Sequence, residues 1–103
     1  MVDEFKTTFT VDKLKVEWDG KYLEILSDAK YVTDTKTGLS IMSGPEVEDI
    51  VAENGSKFFS GKRKGTYFVT CKISVSYTIY EESDGPNLYP DYDSVSIIDF
   101  KIL

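Results

Sequence analysis

From Thr66 to Tyr80 apolar and polar residues alternate with no glycine or proline to interrupt them. Tyr67, Val69, Cys71, Ile73, Val75, Tyr77 and Ile79 share one face of an extended strand, and Thr70, Lys72, Ser74, Ser76 and Thr78 share the other. A strand of fifteen residues is longer than the usual five or six, so it is expected to bend or to project past its neighbours. A second alternation surrounds Asp19-Gly20, where glycine tolerates the positive φ of a two-residue hairpin turn. That turn pairs Trp18 with Lys21, Val16 with Leu23 and Leu14 with Ile25. It puts Leu14, Val16, Trp18, Leu23 and Ile25 inward and sets Lys15 across from Glu24 as an ion pair.

The pattern changes twice more. AKYVTDTKTGLSIM predicts a hairpin whose longer loop, Asp34 to Gly38, ends on a left-handed glycine. SGPEVEDIVAENG then shifts to helical spacing. Ser43 and Glu46 form a capping box, Pro45 sits in the first turn, and Glu46, Glu48 and Asp49 complement the helix dipole. Val47, Ile50 and Val51 form one apolar stripe, so the helix packs by a single face, and Gly55 is expected to end it. EESDGPNLYPDYDS predicts an irregular loop, and VSIIDFKIL a closing strand with Ile98, Phe100 and Ile102 inward.

The elements run β-β-β(-β)-α-β-β in one domain, 1–103, mainly β with one helix (α+β). The expected architecture is a small antiparallel barrel or a strongly curved sheet. This order resembles the OB-fold, a five-stranded barrel with a helix between its third and fourth strands. The resemblance is one of element order alone and rests on no motif.

Composition narrows the chemistry. The chain has 103 residues, a formal charge of −6, no histidine and one cysteine. Its length suffices for a core without disulfide or metal. Lack of histidine excludes Ser-His-Asp and Cys-His catalysis, and the parity of Cys71 places it among core residues as an inert thiol. The opening MVDEFKTTF has no apolar leader segment and no stretch reaches the length of a membrane span, so a cytoplasmic protein with no membrane partner is expected. Without a leader, the sequon at Asn54-Gly55-Ser56 reads as a helix end. Asp84-Gly85 and Asp91-Tyr92-Asp93 lack the ligand ladder of a calcium loop. The stretch from Gly55 through Gly61-Lys62-Arg63 misses a P-loop: its glycines are one residue too far apart, Arg63 replaces Ser or Thr, and a strand follows.

Charge is unevenly laid out. Lys57, Lys62, Arg63, Lys64 and Lys72 occupy a stretch without acids, and Glu81, Glu82, Asp84, Asp91, Asp93 and Asp99 one without bases. The leading expectation is a non-catalytic binding module, an acidic inhibitor or adaptor. Its protein partner would meet Glu81, Glu82, Asp84, Tyr89, Asp91, Tyr92 and Asp93, where tyrosines stand among acids. The alternative is an OB-like single-stranded nucleic-acid binder, in which Lys57, Lys62, Arg63 and Lys64 follow phosphates and Phe59 and Phe68 stack bases. In that alternative the Gly61–Gly65 stretch is more than a hairpin tip. A further alternative is an assembly subunit that self-associates through the edge of strand 66–80. No cofactor, metal or catalytic residue is expected.

Overall fold

The computed structural model describes residues 3–81 and 88–103. Strand β1 (Asp3–Trp18) pairs antiparallel with β5 (Gly65–Glu81) from end to end, and β6 (Leu88–Ile102) lines the far side of β5. β2 (Leu23–Ile25) adds to the Trp18 end of β1, giving an antiparallel sheet in the order β2-β1-β5-β6. β3 (Val32–Thr33) and β4 (Ser40–Met42) form a separate hairpin, followed by helix α1 (Gly44–Gly55) and a single 3-10 turn, Ser56–Phe59. Mainly β with one helix is therefore correct. The sheet is open, since among the described residues β2 and β6 do not pair. The helix lies between β4 and β5, within the expected order with its optional fourth strand, though one strand later than in the OB-fold. Long strands make a body of 52 × 21 × 21 Å.

Strand 66–80 alternates as expected from Val69 through Cys71, Ile73 and Val75 to Tyr77, all buried, whereas Thr78, expected on the outer face, is buried as well and donates to Asp93. It is nevertheless an interior strand, flanked by β1 and β6. Both of its backbone edges are taken, which corrects the expectation that it offers one to a second copy.

β1 reaches sixteen residues by means of a bulge. Its register with β5 slips between Val11 and Leu14, and Lys13 takes a left-handed φ of 50°. The extra residue switches the inward set from Phe5, Phe9 and Val11 to Leu14, Val16 and Trp18, so both halves face one core. β6 slips in the same way opposite Lys72/Ile73 and Ser76/Tyr77. Ile97 and Phe100 therefore pack on the core while Ile98 is 56% exposed, which corrects its inward assignment.

The Asp19 turn is wider than two residues. Asp19 Oδ1 accepts the N–H groups of Lys21 at 2.8 Å and Tyr22 at 2.6 Å, and Asp19 N–H donates to the Tyr22 carbonyl. These bonds, Tyr22 first, hold the Asp19 carboxyl below its usual value. Trp18 thus pairs with Leu23 and Val16 with Ile25. The slip is of two residues, so the inward set survives, but Glu24 faces Glu17 instead of Lys15.

The second hairpin and the helix start form as read. Gly38 has φ +74°, and Ser43 and Glu46 make both capping-box bonds. Gly55, however, has φ −81° and the chain winds on into the 3-10 turn. Its smallness serves packing, since a Cβ there would stand 3.0 Å from the Phe100 ring and 3.2 Å from Leu23. α1 lies across the sheet from β2 to β6, burying Val47 and Val51 with Ile41, Met42 and Phe59 against β5. Among the described residues no helix is long and apolar enough to cross a membrane.

Candidate functional site

A groove opens where the chain leaves β1. The last ties of the β1–β2 hairpin are Leu26 N–H to the Lys15 carbonyl at 2.8 Å and Lys15 N–H to Ser27 Oγ at 2.9 Å. Beyond them the segment 28–33 lifts off β1 toward the helix. Gly44 makes room for it there: a Cβ on Gly44 would collide with the Ala29 carbonyl oxygen. Only glycine lets the helix start clasp that segment so closely. The space between β1 and the lifted segment measures about 440 Å³. Phe9, Val11, Leu14 and Val47 line it with apolar surface, and Asp12, Asp28, Lys30 and the 71%-exposed Tyr31 border it.

The groove adjoins an open strand edge. Leu103 donates to the Phe68 carbonyl from the β6 side, so even-numbered residues of β5 face β6 and odd-numbered ones bond β1. Their β1 partners are Phe5, Thr7, Phe9 and Val11. Glu4, Lys6, Thr8 and Thr10 therefore turn their N–H and C=O groups outward. Among the described residues the partner these groups find is Lys36 Nζ, 3.2 Å from the Lys6 carbonyl. The opposite edge differs. β6 carries Pro90 and two bulges along its length, the features by which sheets discourage further pairing.

The acidic residues are arranged otherwise than expected. Glu82 and Asp84 lie outside the described residues. Glu81 ends β5, and Tyr89, Asp91, Tyr92 and Asp93 belong to β6, so the stretch from Leu88 onward is strand rather than loop. Tyr92 stands opposite Tyr77 and Tyr89 opposite Tyr80 in register. The Asp93 carboxylate accepts the Thr78 hydroxyl at 2.8 Å. Burial first, and then the Glu46 carboxylate of the helix start, push the Tyr92 phenol up to about 12.

The basic residues do not form one surface with the aromatics. Gly61 to Lys64 connect the 3-10 turn to β5 and are exposed, so they are not a hairpin tip. Lys64 lies across the Asp19 turn, its Cε 3.2 Å from where a Gly20 Cβ would be. Phe59 is fully buried against Trp18, Tyr67 and Phe100, which corrects its assignment as a base-stacking residue. Its neighbour Phe58 stacks on Phe100 at 4.5 Å with Lys57 Nζ 5.3 Å from its ring centre. Phe68 is 47% exposed on the other face of the sheet, opposite Lys15.

Two buried polar features complete the picture. Asp34, 2% exposed, takes the Tyr77 hydroxyl on one carboxylate oxygen and the Lys36 N–H on the other, at 3.0 Å for the latter. Burial first and this carboxylate second raise the Tyr77 phenol above its ordinary value. Burial also pushes the Cys71 thiol up to about 11, with Asp99 adding to the effect, so the thiolate a nucleophile needs is disfavoured. The groove and edge were hidden in the sequence, because alternation shows faces but not which strand lacks a neighbour. The one local signal was Gly44, ahead of Pro45. No family model, curated protein or solved structure matches the chain.

Proposed function

We propose that the chain is a non-catalytic protein-binding module whose docking site is the β1 groove with its adjoining edge. The observation that carries this reading is an apolar groove of about 440 Å³ beside outward-turned backbone groups of Glu4, Lys6, Thr8 and Thr10. A partner supplies an extended segment that bonds to these groups and seats an apolar side chain against Phe9 and Val11. Main-chain bonds provide affinity and the groove provides selectivity. The buried thiol of Cys71 and the absence of histidine from the sequence support a role without catalysis.

The test is selection from a displayed library of random peptides, followed by chemical-shift mapping on the full chain. Selected peptides are expected to move the amides of Thr8, Thr10, Ala29 and Val32 and to bind Tyr31→Ala more weakly. Peptides that move only amides elsewhere, or a selection that enriches none, overturn the reading.

A second reading, single-stranded nucleic-acid binding, is favoured by exposed Phe68 beside Lys15 on the open sheet face, with Lys72 and Lys101 on the same face. Binding of a labelled oligonucleotide that weakens steeply with salt and is lost in Phe68→Ala supports it. Salt-independent binding, or none at micromolar protein, removes it.

A further inference from the structure

We infer that the strand accepted by the β1 edge is β1 of a second copy of this chain, paired antiparallel about a two-fold axis at Thr7. The inference rests on the docking reading above and names its occupant.

Symmetry and charge select the register. Opposed residues of an antiparallel pair lie on the same face, so the axis must pass through a residue of β1. An axis at Lys6 sets two lysine side chains against each other, and one at Thr8 brings Glu4 onto Asp12. Like charges directly opposite are destabilising. An axis at Phe5 overlaps too little of the strand. With the axis at Thr7, Glu4 faces the partner's Thr10 and Lys6 the partner's Thr8, and each pair turns its backbone groups toward the other. Among the registers that oppose no like charges, none joins as many of the outward groups. On the inward face Phe5 meets the partner's Phe9, twice by symmetry, at the Phe9 end of the groove. Aromatic cross-strand pairs are favourable. β2 is no obstacle, because its hydrogen bonds to β1 begin at Lys15.

The product is one continuous sheet that runs through both copies, closed by the two-fold axis. The edges left outside are those of β2, which is short, and of β6, which carries Pro90 and its bulges. Those edges resist further growth, so assembly stops at two. Lys36 is the competitor, since its ammonium occupies the Lys6 carbonyl that the partner's strand requires.

Sedimentation equilibrium on the full chain, from micromolar to millimolar, tests the inference. A concentration-dependent dimer is expected. Thr8→Glu places a carboxylate opposite the partner's Lys6 and tightens it, and Thr8→Lys weakens it, each by about tenfold for two symmetric pairs. Thr8 is exposed, so neither change disturbs the fold. Lys36→Ala tightens the dimer as well. Thr7→Cys forms an intermolecular disulfide on oxidation and Thr10→Cys does not, because only residue 7 faces itself.

A monomer at millimolar concentration, or equal dimer strength in Thr8→Glu and Thr8→Lys, overturns the inference. A monomer that still binds selected peptides at Thr8 and Thr10 overturns the second copy as occupant while the docking reading stands. A monomer that binds none removes both.

Discussion

The Thr70 hydroxyl of β5 accepts the backbone N–H of Lys13 at 3.1 Å, at the one non-glycine residue with positive φ among the described residues. The same hydroxyl donates to Asp12 Oδ1 at 2.9 Å. One threonine thus binds both residues of the bulge that turns Leu14, Val16 and Trp18 inward. On the other side of β5, Thr78 donates to Asp93 where β6 slips. At two of the three places where its neighbours slip, β5 thus carries a threonine whose hydroxyl bonds a residue of the bulge.

Replacing Thr70 by the isosteric valine removes these bonds while keeping the shape. Thr70→Val is expected to lower stability by about 1–2 kcal/mol, read from urea unfolding followed by circular dichroism. Lys13→Gly should be neutral or stabilising by up to about 1 kcal/mol, since it relieves the left-handed penalty of a side chain at φ 50°. A Lys13→Gly variant less stable than Thr70→Val would show that the bulge depends on the lysine side chain rather than on the backbone turn.

Gly44 and Gly55 separate two kinds of crowding. A Cβ on Gly44 meets the Ala29 carbonyl at 2.2 Å, which is backbone, whereas one on Gly55 meets ring atoms of Phe100 at 3.0 Å. Gly44→Ala is expected to cost about 2–3 kcal/mol. Gly55→Ala should cost about 1 kcal/mol or less, because the helix propensity of alanine offsets a contact that side chains can relax. Thermal melts rank the two, and equal losses would overturn the argument that Gly44 holds the groove wall.

Phe58 and Phe59 are adjacent in the chain and opposite in role. Phe59→Ala empties a fully buried site and should cost about 3–5 kcal/mol. Phe58→Ala, at a site 40% exposed, should cost no more than about 1.5 kcal/mol, mostly from its stacking on Phe100. Urea midpoints of the two variants check the assignment.

Stability should fall in alkali, beginning near pH 9. The folded-state value of Cys71 is raised from 9.0 to about 11 by burial and by Asp99. Its contribution is complete below pH 9.0 and is lost as pH rises through about 11, because the unfolded chain gives up the proton first. The loss is about 2–3 kcal/mol. Tyr77, also raised, adds a loss that begins near pH 10. Tyr92 adds less, being more than a third exposed and screened by solvent. In Cys71→Val the decline should start about one unit later, measured by urea titrations from pH 8 to 11 under reducing conditions. An unchanged onset would remove Cys71 as its source.

Local features were legible in the residues alone. The capping box of Ser43 and Glu46, the left-handed Gly38, the inward set of the long strand and the core placement of Cys71 each depend on contacts within a few positions or on a period of two. The inward residues of the first hairpin survived even a misplaced turn, because a slip of two keeps every side chain on its face. Three things were decided by the tertiary structure. The bulge at Lys13 reverses the parity of β1, and the slip opposite Ile73 reverses that of β6, so that Ile98 faces out where alternation put it in. Leu88 to Asp93 are strand because β5 extends far enough to pair with them, a gain that no composition of acids and tyrosines reveals. The open edge of β1, and with it the groove, exists where segment 28–33 runs against the helix start instead of along β1, an approach that Gly44 permits by lacking a side chain. A period of two determines which way a side chain points, whereas the choice of neighbouring strand is a balance of long-range contacts that sequence pattern does not encode.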